Sequence, residues 1–194
     1  MIHKTGLILL GFIFLFSFAG CDDEEERNLP GNGQELPDPG EFEASIKGDI
    51  GLDLEGTAFF DSMVDPETGD SFFFLNLSTT ATSITNMWFS RGGSRPASGS
   101  YQVMNLDIED LEDSWRLGDD SFAFWLIDDP TGNMALFFSD GGGVNIHRSL
   151  EDEIAGEFVI QATGFYLADM ETRLEVEVRG AFNAIQGEVQ PPDL

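Results

Sequence analysis

Glu41-Phe42-Glu43-Ala44-Ser45-Ile46-Lys47-Gly48-Asp49-Ile50 is the stretch that decides the fold. Phe42, Ala44, Ile46, Gly48 and Ile50 alternate with Glu43, Ser45, Lys47 and Asp49. Successive side chains of a strand point to opposite faces, so this alternation makes one face apolar and the other charged: a half-buried strand. The same period returns at Val144 and Ile146, and at Ile154, Phe158 and Ile160. It returns again at Leu174, Val176 and Val178, set against Arg173, Glu175, Glu177 and Arg179. Denser apolar runs at residues 71–77 (SFFFLNL), 122–127 (FAFWLI) and 134–138 (MALFF) predict strands buried on both faces, at the centre of the core.

Turn chemistry separates these runs. Asp65-Pro66-Glu67-Thr68-Gly69-Asp70 and Asp129-Pro130-Thr131-Gly132-Asn133 each put Pro where φ near −65° is wanted and Gly where positive φ is wanted, so each predicts a hairpin. Asp140-Gly141-Gly142-Gly143 and Ala168-Asp169-Met170-Glu171-Thr172 predict further hairpins. Arg91-Gly92-Gly93-Ser94-Arg95-Pro96 predicts a longer, mobile loop. One segment, Asp107 to Leu117, has the spacing of a helical turn, with Ile108, Leu111 and Trp115 on one side. The expectation is an all-β domain over residues 41–190: a single antiparallel β-sandwich or barrel of about nine or ten strands.

The chain ahead of this domain carries an address. Lys4 precedes an apolar run from Gly6 to Phe18, followed by Ala19, Gly20 and the only cysteine, Cys21. This is the layout of a secretory signal peptide over residues 1–20. The run is too short for a membrane span of about 20 helical residues, and Asp22-Asp23-Glu24-Glu25-Glu26 behind it could not enter lipid. Phe18-Ala19-Gly20-Cys21 resembles the lipobox of bacterial lipoproteins, with Phe in place of the preferred Leu. The resemblance implies cleavage before Cys21, a diacylglyceryl group on its thiol and acylation of the new amino terminus, so that the protein is held to the membrane by lipid. A single acyl chain binds a bilayer only marginally, at about 0.8 kcal/mol per buried methylene, and two or three together hold it. Residues 21–40, with acidic side chains, Pro30, Pro37 and Pro39, have little to bury and predict a disordered tether. The acidic cluster behind Cys21 resembles the export signal of some Gram-negative lipoproteins bound for the outer membrane surface; a plain soluble spacer is the other reading. An outer-membrane location is expected, on either the surface or the periplasmic face.

Cleavage leaves 174 residues, enough for one domain. With Cys21 lipidated no thiol remains for disulfides, thiol catalysis or cysteine-based metal sites. Losing Lys4 with the leader leaves eight basic residues against 36 acidic ones, a formal charge of −28 spread along the chain, which excludes nucleic acid as a partner. Such charge keeps a protein soluble and favours a monomer. Only Lys4 and Lys47 are lysines against seven arginines, a balance that resembles proteins of salt-adapted organisms. Weak counterion capture follows from the charge, but no run has the spacing of a calcium loop, and no metal or cofactor is expected.

A second resemblance spans roughly Phe42 to Gly187. Pro96-Ala97-Ser98-Gly99-Ser100-Tyr101, Gly142-Gly143-Val144-Asn145-Ile146, Ile154-Ala155-Gly156-Glu157-Phe158-Val159-Ile160-Gln161-Ala162 and Val176-Glu177-Val178-Arg179-Gly180-Ala181-Phe182 follow in that order. They resemble the strand signatures of a functionally uncharacterised family of small all-β Gram-negative envelope lipoproteins, in which Ile160 is more often aromatic. These signatures place glycines at bulges and bends. The resemblance implies a fold and a location and brings no catalytic residues.

Chemistry is sparse. His147 is the sole histidine after the leader, which leaves no histidine cluster for a metal and at most one histidine-centred triad. No Gly-x-Ser-x-Gly, Walker loop or His-Glu-x-x-His is present. Asp119 with Asp120 and Asp128 with Asp129 are acidic pairs of the kind that glycoside hydrolysis uses, in a chain where acids are everywhere. The expected class is therefore non-enzymatic: a binding or interaction module, with a structural partner of a surface assembly as the alternative and a carboxylate glycosidase behind both. Trp88 and Trp115 are the candidate ligand-stacking residues, with Asn86 and Arg91 to reach hydroxyl groups, for a glycan or an envelope protein; Trp125, inside FAFWLI, is expected in the core.

Overall fold

A computed structural model describes residues 35–66, 68–79, 84–106, 118–129 and 133–188. The leader, Cys21, most of the tether, and the expected helical turn at 107–117 with Trp115 lie outside them. The described residues form nine strands and no helix: β1 Glu41–Gly48, β2 Leu52–Val64, β3 Ser71–Thr79, β4 Ile84–Gly92, β5 Gly99–Val103, β6 Ser121–Asp129, β7 Ala135–Ser149, β8 Glu153–Tyr166 and β9 Asp169–Gln186.

They close into a barrel in the order β1-β2-β3-β4-β6-β5-β7-β8-β9, with β9 back against β1 through the register Glu41↔Asn183 to Gly48↔Val176. Of the two architectures left open by the sequence, the barrel is the one formed. Closure pairs each of these nine strands on both sides and leaves no strand edge among the described residues to template aggregation. The sheet is mixed rather than purely antiparallel, because β1 and β5 are short and act as wedges. Where β1 starts, β2 and β9 meet directly and in parallel, at Phe59↔Ile185 and Phe60↔Gln186. β5 opens β7 away from β6 at one end, pairing antiparallel with β7 and in parallel with β6, while Trp125↔Phe138 to Asp128↔Ala135 hold the other end shut.

Alternation sends the rings inward. Phe42, Phe73, Phe89, Phe122, Phe124, Phe137, Phe158 and Phe182 are buried and fill the lumen with Ile46, Leu75 and Leu77. Phe89 sits 4.9 Å from Phe124 and 5.0 Å from Phe158, between ring centroids. Each such ring contributes about 1.5–3 kcal/mol by leaving water. About eight strands already enclose a space just wide enough for side chains to fill, and a nine-stranded ring is filled here by phenyl groups. Outward stand Glu43, Lys47, Glu55, Glu175 and Arg179. This is the reverse of a barrel that lies in lipid, which is apolar outside and polar within.

The Asp65–Asp70 hairpin forms as predicted: Asp65 N–H donates to Asp70 O at 2.8 Å, Gly69 N–H donates to Asp65 O at 2.8 Å, and Gly69 has φ +78°. β6 and β7 are antiparallel neighbours, with their turn at 130–132 outside the described residues. Two expectations are corrected. Asp140–Gly143 is no turn but lies inside β7, where it forms a bulge between Ser139 and Gly141. Arg91 is no loop residue but belongs to β4, opposite Phe73.

The chain enters at one pole. Gly40 N–H donates to Asn183 O at 2.6 Å, Asn183 Nδ2 donates to Pro37 O at 3.1 Å, and Ala58 N–H donates to Gly40 O at 2.8 Å. By the strand directions this entry pole also carries the β2–β3 and β7–β8 turns, and the far pole carries the β1–β2 and β8–β9 turns.

Candidate functional site

Trp88 and Arg91 are both packed into the protein. Trp88 points outward from β4, yet only 7% of its surface is accessible, and its ring stacks on Trp125 at 6.2 Å and 11°. The two indoles join Leu106, Ala123 and Phe138 in a second apolar cluster on the outer wall. A sugar-stacking role needs an open ring face, and Trp88 does not offer one. Arg91 points into the lumen at the entry pole, 7% exposed, with its guanidinium 5.1 Å from the Tyr101 centroid and 5.7 Å from that of Phe122. It donates to the carbonyls of Asp119 and Ser94, so it ties the β4–β5 connection and the approach to β6 onto the barrel mouth. Asn86, opposite Ile127 and Ser78, lies two residues from Trp88 on the same face. The structure therefore does not gather Trp88 and Arg91 into one site.

The two acidic pairs lie at opposite ends of β6, and the Asp129 side chain is outside the described residues. Asp128 is 2% exposed and accepts the Thr85 hydroxyl at 2.7 Å, while Asp119 and Asp120 are exposed ahead of β6. Among the described residues no three His, Cys, Asp or Glu side chains converge to hold a metal ion.

What the wall gathers instead sits at bulges. An extra residue in one strand bends it and re-aims a side chain. β7 has two such places, at Asp140 and at His147, each left over in the register with β8. β9 has a larger one: Phe165 pairs with Arg173 and Tyr166 with Asp169, so Met170, Glu171 and Thr172 stand out from the ladder. Asp169 fastens that protrusion by accepting from Glu171 N–H at 3.2 Å and from the Thr172 hydroxyl at 2.7 Å. The Thr172 bond, then that from Glu171 N–H, holds the Asp169 carboxyl below its usual range.

Between the Asp140 bulge and the β9 protrusion lies a cleft of about 450 Å³. Its apolar side is Leu106, Phe138, Phe165 and Met170, and its polar side is Asn105, Asp140, Thr163, Glu171 and Arg173. The segment after β5 forms one lip. Met104 N–H donates to Phe122 O at 2.9 Å, Leu106 N–H to Ser139 O at 2.8 Å, and the buried Ser139 hydroxyl to Met104 O at 2.7 Å. Thr163 links the charges: its hydroxyl donates to Asp140, and Arg173 donates to its oxygen at 3.1 Å. Arg173 also pairs with Glu175 at 3.6 Å. Ligand pockets commonly occupy about 300–1,000 Å³ and combine apolar walls with a few placed polar groups, which is the make-up here.

The other bulge builds a smaller cluster. Glu157, 5% exposed, has His147 Nε2 at 3.4 Å and accepts from Asn145 Nδ2 at 3.4 Å, while the Ser100 hydroxyl donates to Asn145 Oδ1 at 3.2 Å. Ser100 bonds Asn145 and not His147, so a nucleophile–base pair is not assembled.

The cleft is not legible in the sequence, because it depends on irregularities in two strands that only their pairing reveals. The glycine run behind Asp140 reads as a turn and is a bulge, whereas Ala168–Thr172 does close the β8–β9 hairpin but gives no sign that Met170, Glu171 and Thr172 stand out from the ladder beyond it. No protein-family model, no curated protein and no solved structure matches the chain.

Proposed function

We propose that the protein is a lipid-anchored lipoprotein of the Gram-negative outer envelope, a non-enzymatic binding module that takes its ligand in the cleft between the Asp140 bulge and the Met170–Thr172 protrusion. The single observation behind the binding role is that cleft: two irregular strand segments are held apart from regular sheet to leave a bounded space of about 450 Å³ with apolar and polar walls. The anchor rests on Cys21 behind its leader and on the lipobox resemblance. Among the described residues the lumen is filled by side chains, which favours the wall as the place for a ligand, as loops and irregular segments on a rigid scaffold are in other binding proteins. Serving as one part of a surface assembly is the second reading. Leu150, Val64 and Met63 are exposed around the entry pole, where an anchored neighbour would meet it.

Two measurements test the proposal. Detergent phase partition of the tagged chain should put it in the membrane phase, and Cys21→Ser should remove it; retention after Cys21→Ser defeats the lipid anchor. A panel of small glycans and amphipathic fragments, watched through the ¹³C-methyl signal of Met170, should shift that signal. A panel that leaves it unmoved defeats the cleft.

A further inference from the structure

We infer that the ligand of this cleft is an amphipathic cation: an apolar body carrying a primary ammonium or guanidinium group. The inference rests on the cleft reading above and adds the chemistry of what fills it. The argument is a balance of committed and uncommitted charge. Arg173, the cleft's cation, is already engaged, with Glu175 at 3.6 Å and with the Thr163 oxygen at 3.1 Å. The two acids are less so. Asp140 accepts the Thr163 hydroxyl through Oδ2, which leaves Oδ1 without a partner among the described residues. The Glu171 carboxylate makes no hydrogen bond or ion pair among the described residues; its backbone N–H is what Asp169 holds. Two carboxylates therefore line the cleft with acceptor capacity to spare, and its one cation among the described residues, Arg173, contacts a third carboxylate, Glu175, so that acids outnumber it there.

The field of the whole chain acts in the same sense. A formal charge of −27 raises the local concentration of cations at the surface and lowers that of anions, with a reach of about 10 Å at 0.1 M salt. The opposite wall sets the rest of the ligand. Leu106 and Phe138 are 7% and 5% exposed, a firm floor, and Phe165 packs against the same cluster. Met170 is 65% exposed and forms an unbranched, adaptable rim of the kind that settles around apolar groups of varied shape.

The test uses one body with three heads. 4-Phenylbutylamine, 4-phenylbutanol and 4-phenylbutanoate are titrated into the mature chain, residues 21–194, at low salt, with the Met170 methyl shift as readout. Asp140→Asn and Glu171→Gln serve as charge variants and Phe165→Ala as the apolar one. The inference expects the amine to bind about tenfold more tightly than the alcohol, as a charge-assisted contact with two carboxylates allows. It expects Asp140→Asn and Glu171→Gln to shrink that ratio, and added salt to do the same. Equal binding of amine and alcohol, unmoved by either charge variant, overturns the inference while the cleft stands. Tighter binding of the carboxylate overturns it in favour of Arg173. If none of the three shifts Met170, and Phe165→Ala changes nothing, the cleft reading itself falls.

Discussion

Trp88 and Trp125 face each other directly across β4 and β6, with ring centroids 6.2 Å apart and planes 11° from parallel, on the outside of the barrel and yet buried. A barrel of ordinary alternation would put polar side chains there. The pair makes the β4–β6–β7 wall apolar on both faces, which is why runs such as FAFWLI lack alternation.

Trp88→Ala is expected to lower stability by about 3–5 kcal/mol, the usual cost of deleting a buried indole, although the residue faces away from the lumen. Urea unfolding followed by far-UV circular dichroism measures it. A change below about 1 kcal/mol would contradict the stacking described.

Arg91 acts through shape as much as charge. Its guanidinium lies over Tyr101 and Phe122 and donates to two carbonyls of different segments. A lysine keeps the charge but lacks the planar fork. Arg91→Lys should therefore cost about 1–3 kcal/mol. Thermal unfolding of the two proteins side by side decides the matter, and equal midpoints would refute it.

Gly141 and Gly142 look interchangeable in the sequence and are not in the structure. Both have positive φ, +142° and +134°. A Cβ at 142 would collide with the backbone carbonyl of Val159, while at 141 the nearest atom is the Val103 oxygen at 4.0 Å. Gly141→Ala should cost only backbone strain, on the order of 1–2 kcal/mol. Gly142→Ala adds a backbone clash and should be much the worse, with low soluble yield. Equal yields and equal unfolding midpoints would refute the bulge geometry.

Glu177 carries a modest pH dependence. The hydrogen bond from Arg179, with a further one from Gln161, holds its carboxyl below its usual value against the opposing effect of burial. A carboxylate depressed in the folded state contributes stability above its unfolded pKa, about 4.3 for glutamate, and loses it as pH falls through the folded value. Both side chains are partly open, 29% and 41% exposed, so the effect stays below about 1 kcal/mol. Glu177→Gln should flatten the stability–pH curve in that acid window and leave it unchanged in slope near neutrality. A wild-type curve already flat there would sink the assignment.

Much of the barrel was legible locally. Period-two alternation placed Phe42, Ile46, Leu174, Val176 and Val178 on the inner face, and Pro66 with Gly69 marked a turn that forms. What was not legible is what depends on distant pairing. Sandwich and barrel share the same strand patterns, and the contact that separates them joins Glu41 to Asn183, far apart in the chain. The parallel contacts of β1 and β5 are geometric consequences of strand length around a closed ring. The Asp140 glycine run is ambiguous because positive φ serves a turn and a bulge alike. Arg91 and Trp88 were drawn toward the surface by polarity and by function. Aromatic faces under the one and an indole beside the other give each a place inside.

The seam between β1 and β9 also sets a rule for how the molecule comes into being. Its first and last strands are mutual partners, so ring closure waits for the final eighteen-residue strand to be available. Pairings of such long sequence separation are slow to find, since loop-closure entropy is lost before the contact repays it. Until then the nascent sheet shows two sticky margins, β1 and β8, to every neighbour. A chain truncated before Asp169 would keep both permanently, and its fate would be association rather than a smaller barrel.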